Sequence, residues 1–234
     1  MQVILDPQSS QFARLTGVAY LSIAVFGAYA IGYVPSQIVV AGDAAATVAN
    51  INEKRALYLS GIGADALVML IEIFATVMLY AMFRPVSPVL AKIAAVARLM
   101  MVAVMAGMLF FHAGALALID GSFAALSDAQ RAEMVGWLFD MHHAGVWIWQ
   151  LFFFVHLALL GRLVDASNRF PKILGLALTI GAFGYLLDSL YAFAFSQIGW
   201  LGIVRIGFLV VVTLGEVGFA LWLTIRAPRA TPTH

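Results

Sequence analysis

The 234-residue chain contains no cysteine, which excludes disulfides, thiolate-held metals and cysteine nucleophiles together. It is also poor in charge. Asp, Glu, Lys and Arg make up 11% of residues, against about 25% in soluble domains, so the chain lacks the polar surface to meet water on all sides. Thirteen basic and twelve acidic residues leave a formal net charge of +1, which gives no basis for binding nucleic acid. The alternating ten-residue segments of a membrane β-barrel are missing. So are the nucleophile elbow, the phosphate loop and the zincin helix, so the pattern names no catalytic residue and favours binding over catalysis.

What is present is apolar: 63% of residues are hydrophobic, with a mean hydropathy of +0.98. Apolar runs of about twenty residues recur, the length that a ~30 Å hydrocarbon layer asks of a helix. Backbone amides in lipid must be satisfied within the segment, so these runs are predicted helices. The sequence predicts an all-α membrane protein, a six-transmembrane-helix bundle forming a single transmembrane domain over 1–234, with spans near 12–34, 57–83, 92–119, 136–162, 171–195 and 201–225. Pro35, Arg84-Pro85, Pro88 and the stretch from Asn168 to Pro171 fall between spans, where chain breakers belong. The first run, Phe12 to Val34, is too long for a signal-peptide core and reads as the first span. Ser127 with Gln130 has the capping-box pattern, which starts the fourth helix ahead of its span. Asp43 is placed to cap a short helix in the first outer loop, expected to lie at the membrane interface. Ala24, Ala28 and Gly32, Ala103 with Gly107, and Ala177 with Gly181 are candidate small-residue seams between helices.

Orientation follows from the basic residues. One side holds Arg14, Arg84, Lys92, Arg98, Arg162, Arg169, Lys172, Arg226 and Arg229; the other holds Lys54, Arg55, Arg131 and Arg205. This asymmetry predicts both termini in the cytoplasm of a bacterial inner-membrane protein. Trp137 and Trp200 then sit at the outer interface and Trp222 near the inner one.

Ionisable residues inside spans are costly and usually face the interior. Counted from the outer ends of the spans, Asp65, His112, His142 and Asp188 lie five to eight residues in, which places them at one level roughly 8–12 Å deep. Glu72 and Glu216 form a second level, each fifteen residues in. On the fourth helix His142, Gly145, Trp149, Phe153 and His156 share one face: two imidazoles, aromatic surface between them, and a glycine gap. These residues, with Asp65, Asp188, Glu72 and Glu216, are the candidate ligand-binding set. A plainer alternative is that the polar groups merely bond neighbouring helices, with Asp188 paired to Arg205 and Arg98 to Glu72 or Glu216.

Several ordered pieces resemble a bacterial membrane family. They are Arg14-Leu-Thr-Gly17-Val-Ala-Tyr20, Gly42-Asp43 through Ile51, Asp65, Arg84-Pro85-Val86, Arg98, His142-x-x-Gly145, Phe152-Phe153-Phe154-Val-His156, Phe170-Pro171-Lys172-Ile-Leu-Gly175, Gly184-Tyr185-Leu-Leu-Asp188-Ser189, and Gly215-Glu216 with Trp222. The series is similar to the family catalogued as domain of unknown function 4386, over nearly the whole chain. Phe154, His143 and His112 depart from that pattern. The resemblance implies the fold and a membrane location, and it supplies no activity.

Four functions fit these residues. The first is a binding, accessory or sensory protein holding an apolar ligand, a lipid or a partner helix in a polar-lined pocket, with membrane lipid around it. The second is a b-type haem or redox subunit with one outer haem between His112 and His142; opposite His156 stands Arg98, which cannot ligate iron. The third is an intramembrane hydrolase using a divalent metal on His112, His142, Asp65 and Asp188. The fourth is a transporter relaying protons through Glu72 and Glu216.

Overall fold

The computed structural model describes residues 6–227, so Arg229 and His234 fall outside the described residues. Among the described residues the chain is all-α, without strands. Among the same residues six helices are long and apolar enough to cross a membrane: α1 (Ser10–Ile38), α3 (Arg55–Phe83), α4 (Pro88–Ile119), α5 (Asp128–Ala166), α6 (Lys172–Phe195) and α7 (Gly199–Ile225). The short α2 (Ala44–Glu53) lies between the first two. Large apolar side chains such as Phe74, Phe110, Ile203 and Leu214 are exposed along the spans. In water such surface is an aggregation liability; in hydrocarbon it is the outer face of a helical membrane protein.

Local chemistry sets the helix ends. Gln130 donates its backbone N–H to Ser127 Oγ at 3.3 Å, and Ser127 returns its own N–H to Gln130 Oε1 at 2.9 Å. This is the reciprocal box read from the sequence, and α5 begins there. Asp43 caps α2 by accepting the Ala46 N–H at 2.8 Å. The apolar side of α2 is taken up by the protein, because Ile51 is fully buried and Val48 packs against the same cluster.

Two prolines behave differently from the expected breaks. Pro35 does not end the first helix. A π-helical segment, Ala28–Tyr33, precedes it, the Val34 N–H reaches Tyr29 O, and α-helix resumes over Val34–Ile38 with proline in its first turn. A first-turn residue needs no intrahelical N–H, so proline is tolerated there, and the wider π turn adjusts the register just before it. Pro88 likewise opens α4, four residues ahead of the expected start.

Contacts divide the chain into two compact units. Unit 1 comprises Met1–Ser22, Ile71–Val102 and Trp147–His234; unit 2 comprises Ile23–Leu70 and Ala103–Val146. Within unit 1, α6 packs along α7 through glycines. A Cβ on Gly181 would stand 2.6 Å from Val212 N, and one on Gly184 2.6 Å from Leu209 N. Gly17 of α1 meets Thr224 N of α7 at 2.7 Å in the same sense, and Gly161 of α5 meets Gly175 O of α6 at 2.6 Å. Such notches maximise van der Waals contact, the main attraction left between helices in lipid. Phe83, Phe170 and Phe219 fill the adjoining core, with centroids 5.3–6.4 Å apart.

Of the three seams expected from small residues, Ala177 with Gly181 is therefore a real contact. The other two are not. Ala24, Ala28, Gly32 and Ala103 are exposed, and a Cβ on Gly32 or Gly107 would meet nothing within 4 Å. Small size permits a close approach but does not say which side of a helix has a neighbour.

Unit 2 is built around Val34, Ile38, Ile51, Tyr58, Ala115, Leu118 and Val135. Val34 of α1 sits in the notch left by Gly61 of α3, where a Cβ would stand 2.8 Å from its Cγ1. Arg55 pairs with Asp120 at 2.7 Å in the same unit.

Candidate functional site

Unit 1 holds a buried polar network, in which Arg98 Nη2 is left without a hydrogen-bond partner. Arg98 of α4 is 0% exposed. Its Nε donates to Glu72 Oε2 at 2.5 Å and its Nη1 to His156 Nε2 at 2.8 Å. A guanidinium can only donate, so His156 Nε2 is the acceptor; the ring proton is then on Nδ1, which donates to the Ala94 carbonyl at 2.9 Å. Both imidazole nitrogens are used. Arg98 Cζ also lies 4.7 Å from the centre of the Tyr20 ring, a cation–π contact. Tyr20 and Tyr185 donate their hydroxyls to the two oxygens of Glu216 at 2.8 and 3.1 Å.

Three residues named from the sequence, Glu72, Glu216 and His156, thus meet in one network. Phe153 stacks on His156 with centroids 5.8 Å apart and planes 12° from parallel. Trp149 packs on Phe153 and Tyr185. The void beside His156 measures about 10 Å³, room for one water at most. Asp188 belongs to this unit and forms an ion pair with Arg205, whose guanidinium lies over the Tyr191 ring at 4.3 Å.

Unit 2 contains the other set, around a cavity of about 260 Å³. One part of its wall is apolar: Ile31, Val34 and Ile38 from α1, Ile62 from α3, Phe139 and Val146 from α5. The other part is polar: Tyr58 and Asp65 from α3, His112 from α4, and Asp140, His142 and His143 from α5. Tyr58 Oη and His112 Nδ1 share a hydrogen bond of 2.8 Å. The His112 and His142 rings touch, with centroids 4.3 Å apart. His142 Nε2 is buried and has no hydrogen-bond partner. Asp65 is 8% exposed and has no hydrogen bond or ion pair among the described residues.

The five-residue stripe on α5 is accordingly divided. His142 and Gly145 belong to unit 2, and Trp149, Phe153 and His156 to unit 1. The glycine gap is already filled, since a Cβ on Gly145 would stand 2.6 Å from Met108 Cγ. Of the four residues read at one depth, Asp65, His112 and His142 line one cavity, and Asp188 is held by Arg205.

The cofactor readings meet specific obstacles. Axial histidines on one iron have the macrocycle between them, whereas His112 and His142 are in ring contact, so this pair does not fit a haem. Among the described residues no group of three or more His, Asp or Glu is placed to hold a metal ion.

Tyr58, Tyr20 and Tyr185 were not singled out as site residues from the sequence, although all three complete a polar set. Tyr58 carried a signal, lying two turns before Asp65 on the same helical face. Tyr20 and Tyr185 lie inside the motif pieces quoted above. Asp140 and His143 add to the cavity wall.

Comparisons with known proteins agree with this description at the level of family. A stretch of 76 residues is 42% identical to an "Uncharacterized protein" of Archaeoglobus fulgidus, covering 32% of this chain and 42% of that protein; the chain thus matches less than half the length of that curated relative. No solved structure matches. The profile described as Domain of unknown function (DUF4386) matches residues 15–227, and the chain belongs to that family.

Proposed function

We propose that this membrane protein binds a small amphipathic molecule in the cavity of unit 2. One observation carries the reading: a space of about 260 Å³ whose wall is apolar on one part and polar on the other, with a buried imidazole nitrogen left unbonded. Ligand pockets run from about 300 Å³ upwards, so this one suits a small molecule. Buried polar atoms are nearly always bonded, and His142, a residue of the cavity wall, keeps an Nε2 that is not. The network of unit 1 also keeps an unbonded donor, Arg98 Nη2, but the void beside His156 is only about 10 Å³, so the network reads as structural. The partners of this reading are the small molecule within and membrane lipid around the spans.

The same reading places the chain in a bacterial cytoplasmic membrane with both termini in the cytoplasm and the cavity in the outer half. Arg98 and Arg205 are tied up in ion pairs inside the units. Leaving them out of the charge count makes it eight against three, and the bias is retained.

The test is equilibrium binding to the full chain in lipid nanodiscs, using 2-phenylethanol, 3-phenylpropanoate and phenethylammonium as probes. Saturable binding of at least one probe is expected, and Val146→Trp, which fills the cavity, is expected to abolish it. Binding of none, or binding that Val146→Trp leaves unchanged, overturns the reading.

A further inference from the structure

Resting on that reading, we infer that the cavity takes an organic monocation, an ammonium head meeting Asp65 with an apolar body lying along Phe139, Val34 and Ile62. The argument begins with how the other deep carboxylates are treated. Glu72 is paired with Arg98, Asp188 with Arg205, and Glu216 accepts two tyrosine hydroxyls. Asp65 is more than nine-tenths buried and has none of these among the described residues. A buried carboxyl that the fold leaves unpaired is held neutral or finds a cation from outside the chain, and a cationic ligand would supply the counter-charge that the other deep carboxylates already have.

The surroundings select its sign. Among the described residues no Lys or Arg lines the cavity, and a second carboxylate, Asp140, lines the same space. An anionic ligand would meet two acids and no fixed cation. Imidazoles on the wall do not replace a cation: His112 is bonded through Nδ1 to Tyr58, and His142 lies against the His112 ring. Tyr58 and Phe139, stacked with centroids 6.0 Å apart, add aromatic surface of the kind that attracts ammonium groups. A divalent ion would need several convergent ligands, and among the described residues no group of three is available.

The probes above separate this inference from the reading it rests on. In the wild-type chain, phenethylammonium is expected to bind at least tenfold tighter than 2-phenylethanol, and 3-phenylpropanoate weakest. Asp65→Asn is expected to remove the preference for the cation while leaving the alcohol bound. Equal affinities for the three heads in the wild type would overturn the charge assignment without any variant. So would a cation preference that survives Asp65→Asn. In either case, binding of the alcohol that Val146→Trp abolishes would leave the binding reading intact. Failure of all three probes sinks both. Stoichiometric binding of Zn²⁺ alone, lost in Asp65→Asn and in His142→Ala, would overturn the inference in favour of a metal.

Discussion

In unit 1 the deep carboxylates all have counter-groups, although Arg98 Nη2 and Arg205 Nε stay unbonded: Arg98 bridges Glu72 and His156, Glu216 takes two hydroxyls, and Asp188 has Arg205. In unit 2 the polar residues surround a space, and the buried Asp65 and His142 Nε2 are left without partners among the described residues. Both sets draw on carboxylates, imidazoles and tyrosines, and unit 1 adds arginines. The difference lies in whether the buried carboxylates have counter-groups and how much space lies beside them. A network of paired charges with no space beside it holds helices together, and an unpaired carboxylate on a cavity wall is prepared for something else. The comparison therefore predicts that substitutions in unit 1 cost stability and that those at the cavity cost binding.

The largest effect is expected at Arg98. Arg98→Ala leaves Glu72 buried without its counter-charge and should destabilise the protein by about 3–5 kcal/mol, measured by unfolding in detergent. A variant that melts with the wild type would show that the network carries no structural weight. Next is the crossing of α6 and α7. Gly181→Val drives a side chain into the backbone at Val212 and should cost about 1–3 kcal/mol. Gly107→Val, at a position with nothing within 4 Å, should stay within about 0.5 kcal/mol of wild type. Tyr185→Phe removes one of two donors to Glu216, an expected loss of about 1 kcal/mol. The smallest effect on stability is at the cavity. Asp65→Asn removes an unpaired charge, so its melt should be unchanged within about 0.5 kcal/mol or raised, in contrast to the destabilising Glu72→Gln. A large loss in Asp65→Asn would mean that Asp65 has a structural partner and would erase the contrast between the units.

Much of this was legible in the sequence, and the gaps have physical reasons. The spans show because lipid demands long apolar runs, and the boxes at Ser127 and Asp43 show because caps use few residue types at fixed spacing. Pro35 misled because the rule that proline ends a helix is local, whereas the π segment before it absorbs the missing donor. Counting depth grouped Asp65, His112 and His142 correctly. It added Asp188 because depth along a helix says nothing about direction around it. The pairs Arg98–Glu72 and Arg205–Asp188 were foreseeable as charges at matching heights. The tyrosines were harder to find, since a phenol adds little cost to an apolar span and does not stand out in hydropathy.

Because the chain has no native cysteine, one introduced thiol reports on one position. The most direct test compares Val146→Cys, on the cavity wall, with Leu157→Cys, fully buried in unit 1, by the rate at which a small methanethiosulfonate reagent modifies each in the folded protein. The account predicts fast modification at 146, slowed by bound phenethylammonium, and none at 157. Equal rates at the two positions would contradict it.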